Sequence, residues 1–475
     1  MTRDDGHLAP AALAGAQWPS DEPEEDRAMV HGGRRDFLRC AAAAGITAAG
    51  APAAAAAIAR GERTAAAEDV AVLHPLDRVP LSFFIDDSTC LVNMGYFCMP
   101  QFAEAWPGRA EYRRPWKSWP REIPDAFVRE FGEFCAEHGI RGKYSIVPYP
   151  ACVGWLDREL PGWSRRELLD SLALVRDLMA PRFDIHPEMI SHTRVIDLAT
   201  GRPQAEISAA TMENSYPHGK KSADELASYL AYALRILKNC DLPCEGITTP
   251  GGFGNGVESE LSLAVGQAVR DVYAAEIPHY FKYVSDGGES TRPKLEHVRA
   301  AAGGTPLLTV NVPAATGDWF GGWDGDETPQ GHRYATGDAA AGRMVELIER
   351  GEPAVMLCHW PGLYTHGTKR GLEEFKRVAL ALEARFRDRT LWMTSGELAR
   401  YAAARELTRI ERSGASIVLT APFACPRFTL RVARPEAAPV ELREVRAARD
   451  LAPGTYLRGE NDLRICFDLV RGQSL

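Results

Sequence analysis

Short apolar runs alternate with longer amphipathic segments from about residue 79 to residue 401. The runs Val79–Ile85, Lys143–Val147 and Phe183–Ser191 are rich in aliphatic and aromatic residues, which predicts strands. Later strands are predicted at 246–249, 280–284, 307–312, 354–359 and 391–393. Asp125–Glu137 carries phenylalanines at helical spacing, and Ser164–Ala180 opens with the capping sequence Ser-x-x-Glu, so both segments predict helices. Seven or eight strands with intervening helices predict an α/β fold, a complete or distorted (β/α) barrel with about seven strands.

The pattern changes on either side of this segment. After Thr408 the apolar runs become short, β-branched and bounded by Pro or Gly, which predicts a small all-β domain over 412–475. Residues 1–67 are predicted to be an N-terminal extension, so the barrel is expected to span 75–408. Within it, 195–204 has the punctuation of a tight turn between two short extended pieces and is predicted to be an insertion.

The composition is that of an ordinary globular protein with enough apolar material for a sizeable core. Of the 475 residues, 45% are hydrophobic and 25% are charged, which excludes disorder, collagen or a coiled coil for the bulk of the chain. The formal net charge is -9, and no long run of Lys and Arg appears outside short clusters. We therefore expect no nucleic-acid partner.

The N-terminal residues predict the compartment. A polar, acidic stretch precedes Arg34-Arg35 and Phe37-Leu38, after which 40–59 is mostly alanine and small residues follow at 65–67. This segment resembles a twin-arginine export signal with its cleavage site. The resemblance implies a periplasmic or extracellular protein that uses the twin-arginine export machinery and has no integral membrane segment once mature. The alternative is an uncleaved alanine-rich linker or surface helix.

Ten cysteines are spread along the chain, and none forms a C-x-x-C pair, so the sequence predicts no cysteine metal cluster. Because an exported protein can oxidise its cysteines, Cys425 and Cys466 in the same C-terminal unit are the first pair to test for a disulfide.

Polar residues follow several predicted strands directly. They are Asp86-Asp87, Ser191-His192-Thr193, the segment 248–252, and His359 after Leu357-Cys358. In parallel β/α folds the functional groups gather at the carboxyl ends of the strands. Two adjacent carboxylates repel each other there unless a cation neutralises one of them, which predicts a metal site. Taken one at a time, Asp-Asp can equally be a solvated turn, and each histidine an ordinary core or surface residue.

At these positions the chain resembles the polysaccharide deacetylase family, the NodB-homology domain, as a divergent member. Its first motif is matched by an apolar strand ending in Asp86-Asp87, and its Leu-x-His motif by Leu357-Cys358-His359. The segment 187–193, which ends in His192-Thr193, is similar to the motif that carries His-x-x-x-His. The resemblance implies that Asp86 is the general base, that Asp87 and His192 bind a divalent metal, and that His359 is the general acid.

Two positions depart from the family pattern. Ile196 stands four residues after His192, where the second metal histidine is expected, and Thr248 stands where an arginine would orient the base. We predict that 197–212 is inserted between two ligands and that His218, just before the helix start Ser222-x-x-Glu225, is the third metal ligand. Two carboxylates, Glu213 and Asp197, are the reserve candidates. The alternative is that His218 is an exposed loop residue beside two lysines.

The resemblance implies a secreted metal-dependent hydrolase that removes acetyl groups from a carbohydrate polymer, with zinc as the expected divalent metal ion. Three tryptophans fall in predicted loops at the mouth of the site: Trp319, Trp323 and Trp360. They are predicted to bind the substrate, because flat aromatic faces stack on sugar rings. Pro250 is also predicted to be a substrate-binding residue. Packing of the loops is the alternative for each tryptophan.

Two other functions stay open at this point. A metal-independent glycoside hydrolase of similar fold would use carboxylates such as Asp86 and Asp318. A degenerate, non-catalytic saccharide-binding protein would keep the fold and the tryptophans, which agrees with the replacements at Ile196 and Thr248.

Overall fold

The computed structural model describes residues 66–300, 305–414, 416–435, 439 and 441–474. The expected twin-arginine signal at Arg34-Arg35 lies outside the described residues. No helix in the described ranges is both long and apolar enough to cross a membrane.

The strands, in chain order, are β1 (Val70–Val72), β2 (Val79–Asp86), β3 (Gly142–Ile146), β4 (Phe183–Pro187), β5 (Ile196–Asp197), β6 (Arg202–Pro203), β7 (Gly246–Thr248), β8 (His279–Phe281), β9 (Lys294–Arg299), β10 (Leu307–Asn311), β11 (Ala354–His359), β12 (Thr390–Trp392), β13 (Arg409–Ser413), β14 (Ser416–Ala421), β15 (Cys425–Ala433), β16 (Arg443–Val445), β17 (Thr455–Arg458), β18 (Asp462–Leu469) and β19 (Gly472–Ser474). The α-helices are α1 (Met94–Ala105), α2 (Asp125–Glu137), α3 (Arg165–Leu174), α4 (Ala223–Asn239), α5 (Glu258–Tyr273), α6 (Arg343–Arg350), α7 (Trp360–Tyr364), α8 (Arg370–Phe386) and α9 (Ser395–Leu407).

Two sheets of mainly parallel strands form the centre of the fold. One has the order β11-β2-β3-β4, with β12 also paired to β2, and the other has the order β7-β8-β10-β9. A single bridge from Glu188, just after β4, to Thr248 of β7 connects them, and a second bridge joins Asp318, in the chain after β10, to Leu357 of β11. The predicted α/β fold with parallel strands is therefore confirmed, but the described strands form two sheets and not one closed barrel. The antiparallel strand β9, which the sequence pattern did not reveal, occupies an edge of β10 that a closed barrel would give to its next parallel strand.

Local sequence signals explain most of the elements around the site. The helix predicted at Asp125–Glu137 is present with those bounds, and the capping boxes of Ser164 and Ser222 are formed at the starts of α3 and α4. The predicted insertion contains the two-stranded hairpin β5–β6. The strand predicted over Phe183–Ser191 ends at Pro187, after which the chain turns.

The short strands predicted near the C-terminus are present in two further sheets. One has the order β1-β15-β18-β17-β16, so a strand from residues 70–72 completes it, and the other has the order β13-β14-β19. Side chains of β15 such as Phe428 and Leu430 belong to the same apolar core as β2 and α9. The sheet is therefore packed against the α/β part, and a domain boundary at residue 412 stays a prediction.

All cysteines in the described residues are free. Pairing of β15 with β18 places Cys425 opposite Leu469 and Cys466 opposite Thr429. Cys425 and Cys466, the pair singled out for testing, are therefore not joined by a disulfide, because the register keeps the two thiols in different rows of the sheet.

Candidate active site

The site lies where the carboxyl ends of neighbouring parallel strands meet. Asp86 is the last residue of β2, and the pairing of β2 with β11 places His359 directly beside it. Tyr144 of β3 pairs with Ile85, so Ser145 follows in the row of Asp86. Parallel pairing thus brings together side chains that lie far apart in the sequence.

Asp87, Glu188 and His192 form a buried cluster whose ligand atoms all lie within 4.8 Å of one another. His192 Nε2 is 2.8 Å from Asp87 Oδ1 and 3.4 Å from Glu188 Oε1. The side chains of Asp87 and Glu188 are buried, and an oxygen of each faces the imidazole of His192. Burial alone would lower the pKa of His192, but the two carboxylates raise it well above its usual value. Two carboxylates and one imidazole converging on one point are a donor set for a divalent cation.

The backbone at this cluster is strained. Asp87 has φ 58° and His192 has φ 61°, both in the left-handed region that non-glycine residues seldom adopt. The amide of Asp87 donates to Glu188 Oε2 at 2.7 Å, which ties the turn after β2 to the turn after β4. Strain of this kind persists where the surroundings fix the conformation, and it is concentrated at functional sites.

Glu213 shapes the loop that carries His192. Its carboxylate accepts hydrogen bonds from the backbone amides of Ile190, Ser191 and His192 and from the hydroxyl of Tyr229. Burial raises the pKa of Glu213 to about 7, and these bonds oppose the rise. Glu213 therefore supports the loop from behind, and it is not among the three clustered groups that could hold a metal.

The structure places His218 away from the cluster, which corrects its prediction as the third ligand. His218 is exposed, and its Nε2 lies 3.2 Å from the carbonyl oxygen of Ala209. The reserve candidate Asp197 is also exposed, and its Oδ1 accepts from the amide of Ala199 in the hairpin turn. The capped start of α4 fixes the nearby backbone but leaves the imidazole facing outward.

Glu188 takes the position that we assigned to His218. It stands four residues before His192, so the four-residue spacing of the two ligands is present with a carboxylate first. The sequence contains this signal on the N-terminal side of His192, whereas the family pattern places the second ligand on the C-terminal side, at Ile196. Ile196 is a core residue with 2% of its surface exposed.

Asp86 lies beside the cluster and is paired with a buried lysine. The ammonium of Lys143 donates to Asp86 Oδ1, and the hydroxyl of Ser145 donates to the same oxygen at 3.2 Å. Burial raises the pKa of Asp86, and the charge of Lys143 opposes the rise. Lys143 was not among the residues that sequence patterns singled out, because it lies in the middle of a strand.

His359 lies on the other side of Asp86 and is paired with Asp318. Its Nδ1 is 2.9 Å from Asp318 Oδ2, and its backbone amide donates to the same oxygen at 3.2 Å. Burial alone would lower the pKa of His359, but the bond to Asp318 and the nearby charges of Asp87 and Asp86 raise it to about 10. The imidazole is therefore held in its protonated form, with a quarter of the side chain exposed.

The predicted substrate-binding residues differ in their accessibility. Trp360 is fully buried and packs against Phe127 and Tyr144, so its prediction as a sugar-binding surface is wrong. The α7 helix begins at Trp360 and turns the ring into the core. Trp319 is half-buried beneath the guanidinium of Arg333, and Pro250 is buried after β7.

Trp323 contributes to an aromatic wall next to His192. Its ring centroid is 5.3 Å from that of Phe102 and 5.8 Å from that of Tyr112. Phe102, on α1, is in turn 6.3 Å from the ring of His192. Helix α1, which the sequence analysis did not predict, therefore places an apolar surface beside the metal-binding candidates.

A second polar group lies in the same sheets. His186 Nε2 is 3.1 Å from His279 Nε2, which is 3.7 Å from Asp184 Oδ2. The Nδ1 atoms face Thr248 Oγ1 and the carbonyl oxygen of Ile277, and Asp184 accepts from the amide of Gly396. Each member is thus satisfied by neighbouring protein groups, and the arrangement explains how β4, β8 and α9 are held together.

No protein-family model matches the chain, and no curated protein matches it. Among solved structures, a candidate polysaccharide deacetylase from Mycobacterium smegmatis is 10% identical, with a TM-score of 0.37, over 76% of this chain and 99% of that chain. A candidate glycoside hydrolase/deacetylase from Parabacteroides distasonis is 12% identical, with a TM-score of 0.36, over 75% of this chain and 82% of that chain. A mutant of a CE4 family pseudoenzyme is 10% identical, with a TM-score of 0.30, over 69% of this chain and 70% of that chain.

Proposed function

We propose that the protein is a metal-dependent hydrolase that removes acetyl groups from a carbohydrate. The observation that carries the proposal is the convergence of Asp87, Glu188 and His192 on one buried point, with Asp86 on β2 and His359 on β11 beside it. Acid, base and ligand candidates thus stand at one end of neighbouring strands, as the chemistry requires.

The three converging residues fit a divalent cation. Asp87 and Glu188 carry two negative charges that are buried, and a divalent ion would compensate both. Asp87 Oδ1 and Glu188 Oε1 both face His192 Nε2, so one ion could contact all three groups. Zinc remains the expected ion, and three protein ligands leave an open position. When bound, such an ion lowers the pKa of a water molecule and polarises an acyl carbonyl.

The remaining steps belong to protein side chains. Asp86, at the end of β2, accepts a proton from the attacking water. His359, kept protonated by Asp318, gives a proton to the departing nitrogen or oxygen. Water is added across the acyl bond, so the products are acetate and a free amine or hydroxyl group.

The contacts of Asp318 argue against the glycoside hydrolase alternative. Both bonds from His359, one from the ring and one from the backbone, go to Asp318 Oδ2. A glycosidase needs two carboxyl groups that flank the scissile bond, whereas this carboxylate is committed to orienting an imidazole. Glu188 likewise argues against a degenerate site. It supplies the third candidate ligand that Ile196 cannot supply.

A saccharide substrate is supported by the aromatic wall next to the cluster. Trp323 is half-buried, packs against Phe102 and Tyr112, and can present a ring face to a sugar. Of the tryptophans predicted to bind substrate, Trp323 is therefore retained and Trp360 is not.

The test combines metal content with product analysis. Protein freed of metal and reloaded with zinc should hold one ion per chain and release acetate from acetylated chito-oligosaccharides or acetylated xylan. Asp87→Ala should lose the ion and the acetate release, whereas Asp86→Ala should keep the ion and lose only the acetate release. His218→Ala and Asp197→Asn are matched controls that should behave as wild type, because both side chains are exposed. Equal zinc content in wild type and Asp87→Ala, or release of reducing ends in place of acetate, would overturn the proposal.

Export is a separate proposal that rests on residues outside the described ranges. Arg34-Arg35 and the alanine-rich segment after them support secretion by the twin-arginine pathway to the periplasm or beyond. Replacing both arginines by lysine should keep the protein in the cytoplasm, as measured by cell fractionation. Unchanged export of the double variant would contradict the assignment.

A further inference from the structure

Lys143 is a lysine with no exposed surface in the centre of a parallel sheet. It lies on β3, and its ammonium donates to the carbonyl oxygen of Ile85 at 3.2 Å, to Ser145 Oγ at 2.9 Å and to Asp86 Oδ1. An ammonium has three protons to donate, and all three find acceptors around the end of β2. The side chain is therefore fixed in one position.

Such a residue is costly to keep for stability alone. A buried ion pair loses the hydration of both charges, and an apolar residue of similar volume often serves the fold as well. The rings of Phe84 and Phe281 flank the ammonium, with centroids 5.5 and 4.9 Å away, so an apolar side chain would fit among these neighbours. Presence of the cation therefore points to a task at Asp86.

The task that we consider is to orient the carboxylate of Asp86 with a positive charge. The family resemblance implies an arginine that orients the base, and this chain has Thr248 at that position. The Thr248 hydroxyl lies 3.3 Å from His186 Nδ1 and supplies no charge. In this chain the positive charge comes from a different strand: Lys143 of β3 reaches the carboxylate of Asp86 at the end of β2.

We infer that Lys143 is the positioning residue of the general base, holding Asp86 Oδ1 so that the other carboxylate oxygen is turned to the attacking water. This inference rests on the proposed function. Lys143 and Ser145 both bind Oδ1, so together they fix the rotation of the carboxylate as well as its place. The nearby carboxylates Asp87 and Glu188 would push Asp86 away, and the ammonium opposes that repulsion.

The test compares Lys143→Met, which removes the charge at similar length, with Lys143→Arg, which keeps it. Lys143→Met should lower kcat for acetate release about 100-fold, the loss expected from a misplaced reacting group, with KM and zinc content unchanged. Lys143→Arg should recover at least a tenfold part of that loss, because a cation again faces Asp86. Lys376→Met, which breaks an ion pair with Glu130 away from the site, is the matched control and should keep wild-type kcat.

The outcomes separate this inference from the proposed function. A zinc-loaded Lys143→Met protein with wild-type kcat, or a Lys143→Arg protein no better than Lys143→Met, overturns the role of Lys143 while the hydrolase stands. Wild-type protein that releases no acetate overturns the function and this inference with it. If Lys143→Met does not fold in a thermal melt, Ser145→Ala decides: it should lower kcat several-fold at constant KM, and an unchanged kcat overturns the inference.

Discussion

Replacing Asp318 by Asn tests whether His359 is a general acid held in its protonated form. The side chain of Asp318 is almost fully buried, and its Oδ2 faces both the ring and the backbone amide of His359. Asn keeps an oxygen for the backbone amide but removes the negative charge that stabilises the imidazolium. We therefore expect the pKa of His359 to fall from about 10 toward its ordinary value of 6.5.

The size of the effect follows from the protonated fraction. A group with a pKa of about 10 is almost entirely protonated near pH 8, whereas one with a pKa of 6.5 is protonated to only a few per cent. The variant should thus lose about 30-fold in kcat/KM near pH 8 and much less near pH 6, if the protonated form is the active one. The alkaline limb of the pH profile should move down by up to about 3.5 pH units, the distance between the two pKa values.

The assay is kcat/KM for acetate release across the pH range, with zinc content measured on the same samples. Asp326→Asn is the matched control. Asp326 lies in the same loop as Asp318 but pairs with Arg114, so its substitution should leave the pH profile unchanged. An alkaline limb that is identical in wild type and Asp318→Asn would refute the assignment. A variant that loses its zinc would instead show that Asp318 supports the metal cluster.

Three further outcomes follow from the structure. Glu188→His should still bind one divalent ion but shift the preference between zinc and manganese toward zinc by about tenfold, because imidazole is the softer ligand. Competition binding of the two metals measures this preference. An unchanged preference would show that Glu188 is not a ligand. Trp360→Ala should destabilise the protein by about 3–5 kcal/mol, the usual cost of removing a buried Trp, whereas Trp323→Ala should mainly raise KM. Urea unfolding measures the first effect and steady-state kinetics the second. Equal unfolding free energies for the two variants would contradict the burial of Trp360. Burial lowers the pKa of His74, which bonds the carbonyl oxygen of Gly351, to about 4, below its unfolded value of about 6.5. The stability that the neutral ring provides is present above about pH 6.5 and is lost as pH falls toward about 4. Between these pH values the free energy of unfolding should fall more steeply with pH for wild type than for His74→Gln. Parallel plots of unfolding free energy against pH would contradict this prediction.

The sequence alone determined where chemistry could be. An apolar run that ends in Asp86-Asp87 and another that ends in His359 identify strand ends, because the side-chain pattern of a buried strand is local. The capping boxes at Ser164 and Ser222 likewise fixed two helix starts from a few neighbouring residues. His192 was found in the same way and lies in the cluster as the structure has it.

Only the tertiary structure decided which side chains meet. Glu188 bonds the amide of Asp87 across 101 positions, Lys143 reaches Asp86 across 57, and Asp318 reaches His359 across 41. These contacts depend on which strands are neighbours and in what register, and a local pattern carries no information about either.

The same limit explains the residues that were misassigned. His218 and Trp360 have side chains suited to the roles predicted for them, and Trp360 directly follows His359 in the sequence. Their orientation depends on distant partners: the carbonyl of Ala209 holds one imidazole at the surface, and Phe127 and Tyr144 enclose the indole in the core. Residue type and position along the chain fix the available chemistry, whereas packing against distant elements decides whether a side chain can reach the site, because burial is a property of the assembled layers.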